Sequence, residues 1–257
     1  MVTLNNINIT FNAGTVDENK LFENFSLNVN DGEFVSIVGS NGSGKTTLLN
    51  MICGTLRPDS GTVVFGGTDI TTAPEYKRAR RIGRVLQDPK SGTCGSLSIL
   101  ENLSLADNKN KGYNLTRAVS RQREDYYKSL LEMCNMGLEN RMGVLAGSLS
   151  GGQRQALALI IATMTPIDLL ILDEHTAALD PKSSDTVMEI TQKVVTEKKL
   201  TTLMVTHNLR FAVQYGTRLI MMHSGNAVMD IDGERKQKLV VDDILDKFNQ
   251  ISIETGN

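Results

Sequence analysis

Short apolar runs alternate along the chain with longer segments of helical period. Phe34 to Val38, Ile82 to Leu86, Leu169 to Asp173, Thr201 to Thr206 and Arg218 to His223 are short, nearly continuous in apolar character and often β-branched. Such runs predict strands buried on both faces, as in a parallel sheet. A helix is predicted from Lys45 to about Gly54, a residue suited to a C-cap. Another begins after Asp180-Pro181, with Asp as N-cap and Pro at the first helical position. Strands alternating with helices imply an α/β fold whose mostly parallel sheet is covered on both faces.

Two regions read differently. The first 35 residues and residues 61–66 alternate apolar with polar positions, which predicts an antiparallel β edge subdomain, with Asp59-Ser60-Gly61 as its hairpin signal. From about 95 to 165 the pattern is helical. Ser98 with Glu101 forms a capping box, Arg117 to Asn135 has helical periodicity and stops near Gly137, and Leu157 to Met164 continues a helix before Pro166. No repeat, low-complexity segment or linker divides the chain. Residues 1–257 are therefore read as one domain with a helical subdomain inserted at about 95–165.

Composition narrows the function classes. Lys plus Arg is 27 and Asp plus Glu is 29, a net charge of -2, so nothing draws the chain in bulk to nucleic acid or anionic lipid. The run Lys77 to Arg84 holds Arg78, Arg80, Arg81 and Arg84 without an interleaved aromatic, and reads as a solvated helix. Cys53, Cys94 and Cys134 are odd in number and far apart, which argues against a disulfide or zinc framework and fits a reducing cytosol. The N-terminus lacks a basic region followed by an apolar run, so it is not read as a signal peptide. Leu157 to Leu172, the most apolar stretch, is short and contains Pro166 and Asp168. The chain is expected to be soluble and to reach a membrane only through a partner.

Candidate chemistry begins at Gly39-Ser40-Asn41-Gly42-Ser43-Gly44-Lys45-Thr46, which fits GxxxxGK[ST] between a strand and a helix. The glycines let backbone N–H groups curl around an anion, and the helix N-terminus adds positive potential. Lys45 neutralises phosphate charge, Thr46 offers its hydroxyl to Mg²⁺, and Thr47 joins the phosphate-binding set. This loop identifies a phosphate-loop NTPase core and no more, because kinases, GTPases and motors share it.

A second motif, Leu149-Ser150-Gly151-Gly152-Gln153, opens the helix Arg154 to Met164. Ser150 suits an N-cap, and Gly151 and Gly152 expose backbone N–H groups, so a second helix N-terminus faces an anion. Here the chain resembles the ABC ATPase family, whose signature reads LSGGQ. The resemblance covers nearly the whole chain and implies ATP and Mg²⁺ as cofactors. It also implies a head-to-tail dimer in which Ser150, Gly151, Gly152 and Gln153 meet the nucleotide of the opposite subunit. Asp173 would hold Mg²⁺, through water, and Glu174 would polarise the attacking water. Gln87 would touch Mg²⁺ or water beside the groove for a membrane subunit. His207 would contact the γ-phosphate, Asp180 would serve the dimer interface while capping its helix, and Phe11 would stack on adenine where the family usually has Tyr. His175 departs from the usual Pro, Ala177 from the common Ser, and Asn12 to Lys20 is longer than a minimal turn.

The implied function is ATP hydrolysis for an ABC transporter of the importer kind. Its partners would be separate transmembrane permease subunits, a second ATPase subunit, identical or not, and a solute-binding protein, with the chain at the cytoplasmic face of the membrane. Leu149 to Pro181, with Glu174-His175-Thr176, resembles a branch associated with binding-protein-dependent uptake of small organic solutes, amino acids among them. A soluble ABC ATPase acting on nucleic acid or ribosomes is the second reading. Those relatives usually carry long coiled coils or two cassettes, whereas this chain has one phosphate loop and one signature. A monomeric phosphate-loop kinase leaves LSGGQ without a role.

Overall fold

The computed structural model describes residues 2–109, 111–112, 119 and 121–255. The elements in chain order are β1 (Val2–Phe11), β2 (Asn19–Val29), β3 (Phe34–Gly39), α1 (Lys45–Cys53), β4 (Ser60–Phe65), β5 (Thr68–Asp69), α2 (Glu75–Arg78) and β6 (Ile82–Val85). There follow α3 (Ile99–Asp107), α4 (Glu124–Glu132), α5 (Gly151–Thr163), β7 (Leu169–Asp173), α6 (Pro181–Lys198), β8 (Thr201–Val205) and α7 (Leu209–Gln214). The chain closes with β9 (Arg218–His223), β10 (Asn226–Asp232), α8 (Gly233–Lys238) and α9 (Val241–Thr255). It divides into two compact units, Met1–Thr72 with Leu203–Asn257, and Ala73–Thr202.

In the first unit β2, β1, β4 and β5 form an antiparallel sheet in that order. The alternation in β1 slips once: Val2 and Leu4 are buried, then Ile7 and Ile9. The slip coincides with a register shift between Leu4 and Ile7, and Asn6 there has φ 48. A one-residue bulge moves the apolar set back to the covered face, because side chains change face at every residue. Asp59-Ser60-Gly61 is not a hairpin turn. Ser60 begins β4 opposite Asn8, and the Asp59 carboxylate accepts from the Thr10 amide at 2.7 Å. Gly61 stands at φ 97 because a Cβ there would lie 2.5 Å from the Asn6 carbonyl oxygen. The three residues close the bulged β1–β4 edge, and the tight turn is Gly66-Gly67 between β4 and β5.

The same unit holds β3 and β9, paired parallel from Val35 opposite Arg218 to Gly39 opposite Met222, with β10 antiparallel on β9. Every residue of β3 is buried, as its unbroken apolar run predicts. Val38, Leu219 and Met221 pack with Ala212 of α7 and Ile244 and Ile251 of α9. Each such large side chain contributes about 1.5–3 kcal/mol by leaving water.

In the second unit β6 and β7 pair parallel, Ile82 opposite Leu169 through Val85 opposite Leu172. The helix α5 packs against α6 and β6. Gly83 allows that approach, since a Cβ would sit 2.6 Å from the Ala162 carbonyl oxygen. The expected capping box of Ser98 and Glu101 starts α3. Of the helix expected over Arg117 to Asn135, residues 117, 118 and 120 lie outside the described residues. A 3-10 turn at Arg121–Arg123 leads into α4. The basic run is not a solvated helix. Helix α2 stops at Arg78, which is buried and donates to the Ala73 carbonyl at 2.9 Å; Arg81 meets Asp168, and Arg84 lies in β6. Among the described residues no helix is long and apolar enough to cross a membrane.

Candidate nucleotide-binding and hydrolysis site

The first unit carries the phosphate loop. Strand β3 ends at Gly39, and α1 begins at Lys45 after Gly44, whose φ is 102. Gly42 is also left-handed, at φ 78, so the loop alternates backbone hands in the manner that turns amide N–H groups inward on an anion. The first turn of α1 holds no acidic residue. Lys45 is only 5% exposed, and its ammonium donates to the carbonyls of Gly39 and Ser40 at 2.8 and 2.7 Å and to Ser43 Oγ at 3.3 Å. Ser40, Asn41, Gly42 and Thr46 are exposed, and Thr47 is half-buried. A cation seated in the loop, a helix N-terminus and no competing acid together fit a polyphosphate.

Two supports of this loop escaped the sequence reading. A Cβ on Gly44 would meet the Phe22 ring at 2.8 Å, so β2 lies directly under the loop. The Gly225 amide donates to the Ser43 carbonyl at 3.1 Å. Ser224 and Gly225, at φ 44 and 75, make the turn between β9 and β10, and two left-handed residues between two strands are the legible signature of such a turn. Phe11 ends β1 opposite Asn19 and is half-buried. His207 is exposed, between Thr206, whose hydroxyl accepts from the Asn208 amide at 3.0 Å, and Asn208, which caps α7.

The second unit carries the acids and the signature. Asp173 ends β7, and its Oδ2 accepts from Arg84 at 2.7 Å, with 22% and 13% of the Arg and Asp side chains exposed. Arg84 was placed in a solvated run by its neighbours in sequence; only the β6–β7 register brings it to Asp173. Glu174 follows with φ 49, a left-handed backbone that a carboxylate residue rarely adopts and that costs about 1–3 kcal/mol. The Ala177 amide donates back to the Glu174 carbonyl at 2.9 Å. His175 is 1% exposed and within 3.2 Å of Thr191 Oγ1. Burial without a counter-charge pushes its pKa down to about 4, so the imidazole is neutral. Gln87 is exposed, in the loop after β6.

Helix α5 begins at Gly151, three residues earlier than Arg154, because Ser150 and Gln153 form a capping box. Gly151 and Gly152 are thus helical. Gly152 also has a packing reason to lack a side chain: a Cβ would stand 3.0 Å from the Ser183 Cβ on α6. On Gly151 it would stand 3.1 Å from Leu179. The signature therefore lies against Leu179 and Ser183, which flank Asp180, the expected N-cap of α6, whose carboxylate accepts from the Ser183 amide at 3.0 Å. The Ser183 side chain first, and this amide second, hold the Asp180 carboxyl below its usual range.

The profile of the ABC transporter family matches residues 22–177. A tyrosine transport ATP-binding protein of Clostridioides difficile (strain R20291) is 48% identical over 248 residues, covering 96% of this chain and 98% of that one. The thiamine import ATP-binding protein ThiQ of Escherichia coli (strain K12) is 34% identical over 206 residues, covering 78% and 82%. Among solved structures, the ATP-binding cassette MJ0796, a dimer in a post-hydrolysis state bound to ADP and Pi, superposes with a TM-score of 0.76 at 29% identity, covering 90% and 98%. On that match and that near full-length likeness, the chain belongs to the ABC transporter family, as one of its ATP-hydrolysing subunits.

Proposed function

We propose that this chain powers uptake of a small organic solute, an aromatic amino acid above all, through separate transmembrane permease subunits fed by a solute-binding protein. The observation that carries this reading is the near full-length 48% identity to a tyrosine transport ATP-binding protein. The chain acts as one ATPase domain, with the helical part at about 95–165 inserted in it. It works as a dimer at the cytoplasmic face of the membrane, as the dimeric cassette relative supports. No observation favours the second reading, a soluble ATPase on DNA or ribosomes.

In this reading the phosphate loop, Gly39 to Thr47, binds the triphosphate of ATP, and Phe11 stacks on the base. Thr46, Gln87 and, through water, Asp173 would hold Mg²⁺, an ion that usually keeps several waters and takes one or two carboxylates together with phosphate. Bound there, the ion would supply charge neutralisation for the phosphates. Glu174 orients and deprotonates water, His207 holds the terminal phosphate, and Ser150 to Gln153 with Asp180 address the nucleotide of the other subunit. The test of function is reconstitution with the permease that co-purifies with the chain, with its solute-binding protein added outside the vesicles. MgATP inside the vesicles should drive tyrosine accumulation, and wild-type hydrolysis with no accumulation of any aromatic amino acid would reject the solute class. The test of the shared site mixes Lys45→Ala with Gly151→Asp subunits. The mixed dimer has one site with both lesions and one with neither, so partial activity should return. Heterodimers that form and stay inactive would reject it.

A further inference from the structure

Within the Ala73–Thr202 unit, the loop that carries Gln87 is fastened at two points, its entrance and its middle, to the helix that starts at the signature. At its entrance, Gln155, fully buried on α5, donates from Nε2 to the Leu86 carbonyl at 2.9 Å. A carbonyl can only accept, so this bond fixes which way the amide points. It also leaves Gln155 Oε1 buried without a partner among the described residues, so the tie to Leu86 is the one polar purpose this side chain serves there. Near the middle, Arg154 Nε donates to Thr93 Oγ1 at 2.6 Å, and its NH2 donates to the Thr93 carbonyl at 3.3 Å. The Thr93 hydroxyl, accepting from Arg154, gives its own hydrogen to the Pro89 carbonyl at 3.2 Å. That relay ends two residues from Gln87. Between the ties the loop touches the helix: a Cβ on Gly92 would lie 2.8 Å from the Ala158 Cβ.

Arg154 and Gln155 follow the signature directly and belong to neither motif. We propose that they are positioning residues, a two-point clamp that makes the Gln87 loop move with the signature end of α5. Two donors of one guanidinium on two atoms of one residue set orientation as well as distance. With Leu86 and Thr93 both held, whatever engages the start of α5 also moves Gln87. The proposal rests on the reading of Gln87 as a site residue.

Thr93→Val removes the relay hydroxyl at a half-buried position while keeping shape, and Arg154→Met removes the fork. Each should lower kcat for ATP hydrolysis by about tenfold, the size expected from loss of a charge-assisted tie, with KM and the melting temperature nearly unchanged. Because both changes break one tie, the double variant should be no worse than the poorer single one. Arg154→Lys, keeping one donor, should recover part of kcat. A purely structural role would instead lower the melting temperature and leave the kcat of the folded fraction intact. Gln87→Ala separates the two readings. If it lowers kcat while Thr93→Val and Arg154→Met do not, or if their losses multiply, the clamp is wrong. If Gln87→Ala leaves kcat unchanged, the assignment of Gln87 fails and the clamp fails with it.

Discussion

Arg84 on β6 reaches diagonally across the strand pair to Asp173 on β7, guanidinium to carboxylate at 2.7 Å. The acid proposed to hold Mg²⁺ therefore has a fixed counter-charge within its own sheet. Removing Arg84 leaves a largely covered carboxylate without its partner. Breaking such pairs costs about 3–5 kcal/mol when they are fully buried, and partial exposure here reduces that to roughly 1–3 kcal/mol. Arg84→Met should lower unfolding free energy in urea by that amount. A change below about 0.5 kcal/mol would place the pair among surface contacts of no consequence.

Glu174→Gln keeps size and hydrogen bonding but removes basicity. Loss of general-base help typically costs about 10²- to 10⁴-fold in rate. Binding of MgATP should survive or tighten, since a negative charge near the terminal phosphate is gone. Gel filtration should then show an ATP-trapped dimer that ADP does not support and that Lys45→Ala does not form. Hydrolysis by Glu174→Gln near the parent rate would remove Glu174 from the centre of the mechanism.

His175 makes stability depend on pH. Its folded pKa, about 4, is below the ordinary 6.5, so between those values the unfolded chain binds a proton that the folded chain does not. Stability is complete above about pH 6.5 and falls as pH drops, by up to about 1.4 kcal/mol per unit, levelling near pH 4. Thr191 gives its hydroxyl hydrogen to the Val187 carbonyl, so the His175 Nε2 hydrogen is the one between them. Comparing urea midpoints at pH 7 and pH 5 for the parent and His175→Met cancels the other histidines. The variant should lose less on acidification, and equal losses would refute the assignment.

Gly44→Ala should injure the phosphate loop twice. Its φ of 102 strains any side chain, and its Cβ would press on the Phe22 ring at 2.8 Å. Nucleotide affinity should fall by about 10- to 100-fold, matching roughly 1–3 kcal/mol of local strain. Phe22→Leu in that background should recover part of it, and isothermal titration with ATP would measure both. No recovery would mean that backbone strain alone sets the loss.

What was legible in the chain was local. The strands of Leu169–Asp173 and Arg218–His223 stand where continuous apolar runs placed them. Gly54 and Asp180 cap the helices that their backbone preferences suggested. What was not legible depends on register or on the other side of a turn. Arg84 and Asp173 are far apart in sequence and meet only through strand pairing. Phe22 lies beneath Gly44 because β2 folds under the loop. Asp59-Ser60-Gly61 misled because residues that make turns also close bulges, and composition does not distinguish the two.

Ser150 fastens α5 by accepting from the Gln153 amide, while Gln153 returns the favour to the Ser150 amide. A hydroxyl that accepts still has a hydrogen to give. The exposed start of this helix can therefore greet an arriving oxygen atom without loosening its own first turn. Aspartate and asparagine cap helices as well as serine does, yet an aspartate offers no hydrogen and would repel an anion. Substituting aspartate for Ser150 should thus leave the helix folded and silence its outward contact, which separates two jobs that a single oxygen performs at once.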